Sequence, residues 1–135
     1  MLKSIAIVAG SYLLSVALVL ATDPLLSLFF PGELDNGRIP SNAWLIASTA
    51  LFVVVSILCA WLCARLAPDR VPGHVLWFFI IGEVMGASTV IPSWNNGWPH
   101  WYCLSWILTW PASCWIGLLP IQGSRSARPN RARLV

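Results

Sequence analysis

Glu83 is the residue whose type and position point most directly to chemistry. It is the only charged residue in the 17-residue stretch from Val75 to Ile91, and it stands at the midpoint. An ionised carboxylate in the middle of a bilayer costs about 3 kcal/mol or more, so such residues usually serve an ion or proton pathway. Glu83 is therefore a candidate proton or solute site. The structural alternative is a protonated carboxyl group that hydrogen-bonds two helices together.

No basic residue is expected at the depth of Glu83. The side chains at matching positions of the other apolar stretches are Ser11, Tyr12, Ser15, Ser56, Thr109, Trp110 and Ser113. Without a cationic partner, we expect Glu83 to be neutral at pH 7 or to open into a hydrated cavity. Gly86 and Ala87, at i+3 and i+4 on the same helix face, leave room for a water molecule or a neighbouring helix.

A second candidate is the Trp-rich string from Trp94 to Tyr102. Within it, Trp98, His100 and Trp101 are candidate outer-face contacts for a lipid headgroup, a sugar or a quinone. The alternative is an ordered turn with interfacial anchors, since Asn-Gly and Trp-Pro are turn sequences. His100 and Cys103 supply only half of a zinc site, so no metal is predicted.

The remaining polar candidates give weaker signals. Cys59 and Cys63 share a helix face and Cys114 has a similar predicted depth, so a metal or disulfide pair is open, with small apolar filler favoured. Asp23 is expected to cap a short apolar segment, Leu25 to Phe30, which either lies at the outer surface or extends the first helix. No triad spacing, phosphate loop or dinucleotide fingerprint occurs, so neither a catalytic residue nor a cofactor is predicted.

Four apolar stretches hold these residues, at about residues 5–22, 43–64, 75–91 and 101–119. About 20 helical residues cross the hydrocarbon layer, and a helix satisfies its own backbone hydrogen bonds in lipid. The sequence predicts an all-α, four-helix transmembrane bundle with antiparallel, up-down topology. We expect residues 1–121 to form this membrane domain and residues 122–135 to form a disordered basic tail. Pro111 should kink the fourth helix. Trp106 and Trp110 lie deeper than the other tryptophans and are expected to be packing residues.

Composition supports the same conclusion. Of 135 residues, 58% are hydrophobic and 10% are charged, which excludes a disordered chain, a nucleic-acid binder and an ordinary water-soluble domain. Small residues recur at four-residue spacing, a pattern typical of close helix packing in lipid, either within the bundle or against a second copy. They are Ala6 and Gly10, then Ser56, Ala60 and Ala64, then Gly82 and Gly86.

Basic residues orient the predicted spans. With both termini in the cytoplasm, seven of the eight Lys and Arg lie on the cytoplasmic side and only Arg38 lies outside. The first span also resembles a signal peptide cleaved before Thr22. Its apolar run exceeds the usual length of about 7–15 residues, so we expect it to be retained.

Three short strings carry a resemblance to a known group. Ala64 to Arg70, Pro99 to Tyr102 and Pro111 to Gly117 resemble segments of small bacterial integral membrane proteins with four predicted spans. The resemblance implies a multi-pass protein of a bacterial inner membrane. It identifies no residue of this chain as catalytic.

These features predict a non-enzymatic membrane protein that acts as an accessory or assembly partner. Its expected partners are the lipid bilayer and, through the small-residue faces, a second copy or another membrane protein, with no nucleic acid. The alternative is a small proton-coupled solute transporter that uses Glu83.

Overall fold

Four long helices make up the fold. A computed structural model describes residues 2–33, 38–67 and 71–126. The helices are α1 (Leu2–Ser27), α2 (Asn42–Leu66), α3 (Val71–Asn95) and α4 (His100–Ser126). Each is long and apolar enough to cross a membrane. The all-helical prediction is confirmed, and the arrangement is compatible with a four-helix bundle.

The helices run past the ends of the apolar stretches that predicted them. Helix α1 continues through Asp23 and Pro24 to Ser27, whose hydroxyl donates to the Asp23 carbonyl over 2.9 Å. Asp23 therefore lies inside α1, so the prediction that it caps a segment is wrong. The segment from Leu25 extends the first helix, but only as far as Ser27. Helix α4 continues through Pro111 and Pro120 to Ser126, so residues 122–126 of the predicted tail are helical.

Some predictions fall outside the described residues. These include tail residues 127–135 and residues 68–70 of the string that runs from Ala64 to Arg70. The bend at Pro111 remains a prediction. Helix α4 tolerates Pro111 and Pro120 because each proline removes only one backbone donor, which neighbouring groups in a bundle can offset.

The described connections are built from short-range hydrogen bonds. Ser41 caps α2 by accepting a hydrogen bond from the Trp44 amide over 3.4 Å, and its own amide donates to Glu33 Oε2 over 2.7 Å. Between α3 and α4, Gly97 adopts φ +83°, which glycine reaches without strain. The turn predicted from the Asn-Gly sequence is therefore confirmed.

Small residues bring α2 and α4 together. Ser56, Ala60 and Ala64 on α2 are fully buried. Gly117 of α4 lies so close to Ala60 that a Cβ built at Gly117 would stand 2.8 Å from the Ala60 Cβ. This set packs within the bundle, as predicted.

The other two small-residue sets behave differently. Gly82 lies directly against the indole ring of Trp110, whereas Gly86 has nothing within 4 Å of a built Cβ. Ala6 and Gly10 are exposed on the outside of α1.

Aromatic side chains fill the middle of the bundle. Trp106 stacks on Phe52 with ring centroids 4.6 Å apart, and Trp110 stacks on Phe78 at 5.1 Å. The prediction that Trp106 and Trp110 are packing residues is confirmed. Cys59, Cys63 and Cys114 join the same core as buried free thiols.

The outside of the described bundle is apolar. Large side chains such as Leu13 and Val84 are 67% and 64% exposed, and such residues occur on all four helices. An exposed apolar surface of this extent is typical of a protein surrounded by lipid.

Candidate functional site

The candidate site lies where α1 faces α3 and α4. In the described residues, α2 and α3 each pack against the other three helices, whereas α1 and α4 share no close backbone contact. A cavity of about 610 Å³ lies between α1 and α3, and a second cavity of about 380 Å³ is bounded mainly by α1, α3 and α4. The smaller one, called the Glu83 cavity below, is the candidate site. Its polar and aromatic wall contains Tyr12, Ser15, Glu83, Thr89, Trp106 and Trp110.

Glu83 is partly buried at the wall of this cavity. Its Oε2 atom is buried, and no described residue hydrogen-bonds to it. A purely structural role for Glu83 would require a protonated carboxyl group that hydrogen-bonds two helices together. Its Oε2 atom makes no such bond with a described residue. The neighbouring Gly86 also lines the cavity and leaves open space beside Glu83, as its small size predicted.

Two hydroxyl groups of the wall, those of Ser15 and Thr89, donate hydrogen bonds within their own helices. Ser15 Oγ donates to the Tyr12 carbonyl over 2.8 Å, and Thr89 Oγ1 donates to the Gly86 carbonyl over 2.8 Å. Hydroxyls on apolar helices commonly make such bonds, because lipid offers no other acceptor. Ser15 and Thr89 therefore present only lone pairs to the cavity.

Trp110 fixes the position of α3 beside the site. Its indole N–H donates to the Phe79 carbonyl over 3.0 Å, one turn before Glu83. Its ring lies on Gly82, where no larger side chain fits without movement. Glycine at position 82 thus lets α4 approach the helix segment that carries Glu83.

Only part of the predicted layer around Glu83 comes together. Tyr12, Ser15 and Trp110 line the cavity, and no lining residue is basic, as expected. Ser56 is buried elsewhere and donates to the Phe52 carbonyl over 2.6 Å. Ser11 and Ser113 are also buried and do not line the cavity.

The Trp-rich string forms the turn between α3 and α4 and does not reach Glu83. His100 stacks on Trp94 with centroids 4.0 Å apart and planes 6° apart, so its ring ties α4 to the end of α3. Trp98 stacks on Tyr102 at 5.5 Å and is half-buried. Among the three candidate outer-face contacts, Trp101 and His100 are exposed.

A separate small cavity of about 170 Å³ lies between this turn and the candidate site. Its wall includes Ser93 and Trp98, and it shares Thr89 and Trp106 with the Glu83 cavity. The sequence analysis did not predict this small cavity, nor did it predict the larger cavity beside Trp77 and the buried His74. Spacing gave no signal for either, because both depend on which helices are neighbours.

The site combines a carboxyl group, hydroxyl lone pairs and aromatic rings in a cavity of about 380 Å³. Such a wall can bind a proton and a small organic molecule. In comparisons with known proteins, no family model, no curated protein and no solved structure matched this chain.

Proposed function

We propose that this chain is a non-enzymatic integral membrane protein that binds a proton at Glu83 and couples it to a solute in the Glu83 cavity. The observation that carries the proposal is the buried Glu83 Oε2, which has no hydrogen-bond partner among the described residues and lies at a cavity wall. A carboxyl group in apolar surroundings without a cation is expected to take up a proton, and a cavity gives that proton a route. A separate small cavity at Ser93, which shares Thr89 and Trp106 with the Glu83 cavity, lies beside the α3–α4 turn.

We also propose up-down topology with both termini in the cytoplasm of a bacterial inner membrane. Contacts support the helix directions: Leu26, late in α1, clusters with Trp44, early in α2, and Trp94, late in α3, stacks on His100, early in α4. At the opposite end, Arg65 lies over the Trp61 ring at 5.0 Å, an arrangement suited to a membrane interface.

The topology is tested with reporter fusions in bacterial cells. Alkaline phosphatase, which is active only outside the cytoplasm, should be inactive when fused after Val135 and active when inserted after Arg38, because basic residues favour the cytoplasmic side. A green fluorescent protein fusion at Val135 provides the matched control and should fluoresce. Phosphatase activity at Val135 would contradict the topology.

The proton site is tested by pH-difference infrared spectroscopy of the purified chain in lipid nanodiscs. Wild-type protein should show a protonated-carboxyl signal that decreases as pH rises and that is absent from Glu83→Gln, which keeps the shape of the side chain but does not titrate. Glu33→Gln is the matched control, because Glu33 lies in the α1–α2 connection, and its spectrum should retain the signal. Identical spectra for wild type and Glu83→Gln would overturn the proton site.

A role as an accessory or assembly partner is the second candidate. It is favoured by two pairs of small residues left exposed on α1, Ala6 with Gly10 and Ala17 with Ala21, which Leu13 and Leu14 separate. Two experiments distinguish the proton-coupled function from the accessory function. Proteoliposomes holding a pH-sensitive dye should show Glu83-dependent proton movement only for the first, whereas crosslinking in the native membrane should capture a second copy or another membrane protein only for the second.

A further inference from the structure

We infer that the solute of the Glu83 cavity is a small, apolar organic ammonium ion, held by Glu83 as its counter-charge. This inference rests on the proposed function, because it names the chemical class that shares the site with the proton. It follows from the charge, the hydrogen-bonding capacity, the aromatic content and the opening of the cavity.

Charge gives the first argument. Glu83 is the only acidic residue of the cavity wall, and none of the wall residues is Lys, Arg or His. A carboxylate is stable in apolar surroundings only with a cation beside it, and no described residue hydrogen-bonds to Glu83 Oε2. A cationic ligand therefore supplies the partner that the protein itself does not provide.

Hydrogen-bonding capacity gives the second argument. Ser15 and Thr89 use their hydroxyl hydrogens within their own helices, and Trp110 donates its N–H to the Phe79 carbonyl. These groups leave oxygen lone pairs and π-electrons towards a ligand. The donors that remain on the wall, the Tyr12 hydroxyl and the Trp106 indole, carry no charge. The wall therefore offers an anion no positive charge, and an ionised Glu83 would repel it.

Aromatic rings give the third argument. The wall contains the rings of Tyr12, Phe52, Trp106 and Trp110. A cation within about 6 Å of such a ring is attracted by its negative face, and tryptophan is the strongest partner. Stacking already covers one face of Phe52, Trp106 and Trp110. The remaining ring surfaces suit the apolar body of an organic ammonium ion, whereas a hydrated metal ion would gain little from them.

Size and access give the fourth argument. A volume of about 380 Å³ lies at the lower end of the range for small-molecule sites, about 300–1,000 Å³. Leu20 of α1 and Met85 of α3 border the cavity and are 66% and 50% exposed on the outside of the bundle. The opening between α1 and α3 thus faces the bilayer, so a ligand with an apolar body can reach the cavity from the lipid side.

Proton and ligand then compete for one carboxylate. Binding of the cation releases the proton from Glu83, and protonation of Glu83 removes the counter-charge of the cation. In the pH range where the infrared signal shows Glu83 to be protonated, each unit of acidification should weaken cation binding by up to about tenfold.

The test measures equilibrium binding of radiolabelled benzyltrimethylammonium to the full chain in phosphatidylcholine nanodiscs. Glu83→Gln should weaken binding at least about 30-fold, because truncating one partner of a buried charge pair has an effect of this order. Glu33→Gln, which removes a carboxylate outside the cavity, should bind as wild type does. Neopentylbenzene, which has the same shape without the charge, should not displace the label, whereas unlabelled benzyltrimethylammonium should.

The other outcomes distinguish failure of the ammonium inference from failure of the proton site. If Glu83 titrates in the infrared spectrum but Glu83→Gln binds the cation as wild type does, the ammonium inference is overturned and the proton site stands. Displacement by neopentylbenzene as effective as by the cation also overturns the inference, because the cavity then selects apolar shape alone. Wild-type protein supplies an independent check, since cation binding that is equal at low and high pH excludes competition at Glu83. If no Glu83 signal titrates, the proposed function fails and the inference fails with it.

Discussion

Replacing Trp110 with alanine is expected to destabilise the folded bundle by about 3 kcal/mol. The value lies at the lower end of the range for Trp→Ala in the cores of water-soluble proteins, because lipid is as apolar as the core and only packing and hydrogen bonding are lost. Trp110 stacks on Phe78 at 5.1 Å, contacts Phe52 at 6.0 Å, and donates to the Phe79 carbonyl over 3.0 Å. Alanine removes all three interactions and leaves a void against Gly82.

Thermal unfolding in detergent, followed by circular dichroism, measures this effect. Trp110→Phe separates ring packing from the hydrogen bond, since it keeps an aromatic ring and loses the N–H, and it should cost about 1 kcal/mol. Trp101→Ala is the matched control, because Trp101 is 43% exposed. A Trp110→Ala variant that unfolds at the temperature of Trp101→Ala would show that the aromatic core does not hold α3 to α4.

The sequence was sufficient to predict the helices because hydropathy alone decides what can reside in lipid. Each apolar stretch became a helix, and Trp106 and Trp110 lie in the core as their depth suggested. The space beside Glu83 also followed from residue type, since Gly86 has no side chain to fill it. The helical segments and the open space beside Glu83 could therefore be predicted without the structure.

The sequence did not show which helices would be neighbours, because apolar residues are spread evenly around each helix. In a water-soluble bundle, the polar face of each helix marks its outside, but α1 to α4 are apolar on all sides. Nothing in the pattern could tell that Tyr12 and Ser15 face Glu83 while Ser11 and Ser56 do not. The Glu83 cavity depends on how α1, α3 and α4 come together, which is a property of the assembled bundle.

Helix ends were also missed. Hydropathy marked the end of the first span at residue 22, yet α1 runs to Ser27 through Asp23. In this segment the Ser27 hydroxyl donates to the Asp23 carbonyl, and backbone hydrogen bonds continue to Phe29 and Phe30. A helix ends where its backbone groups find other partners, and that point need not coincide with the edge of the apolar run.

Adding a single methyl group at Gly117 is expected to separate α2 from α4. A Cβ built at Gly117 would stand 2.7 Å from the Ile57 carbonyl oxygen and 2.8 Å from the Trp61 amide nitrogen. Both are backbone atoms, so a rotamer change cannot relieve the overlap and the helices themselves must move apart. Gly117→Ala should therefore lower stability by about 1–3 kcal/mol, the usual cost of overpacking, even though alanine favours the helix more than glycine does.

The opposite sign is expected at Gly10, which makes Gly10→Ala the matched control. A Cβ built there has nothing within 4 Å, so only the intrinsic helix preference remains, worth up to about 1 kcal/mol in favour of alanine. The same substitution in the same kind of helix should thus lower the thermal midpoint at position 117 and leave it unchanged or raise it at position 10. If the two variants shift in the same direction by the same amount, close packing at Gly117 does not hold α2 and α4 together, and the contact of Gly117 with Ala60 contributes nothing to the fold.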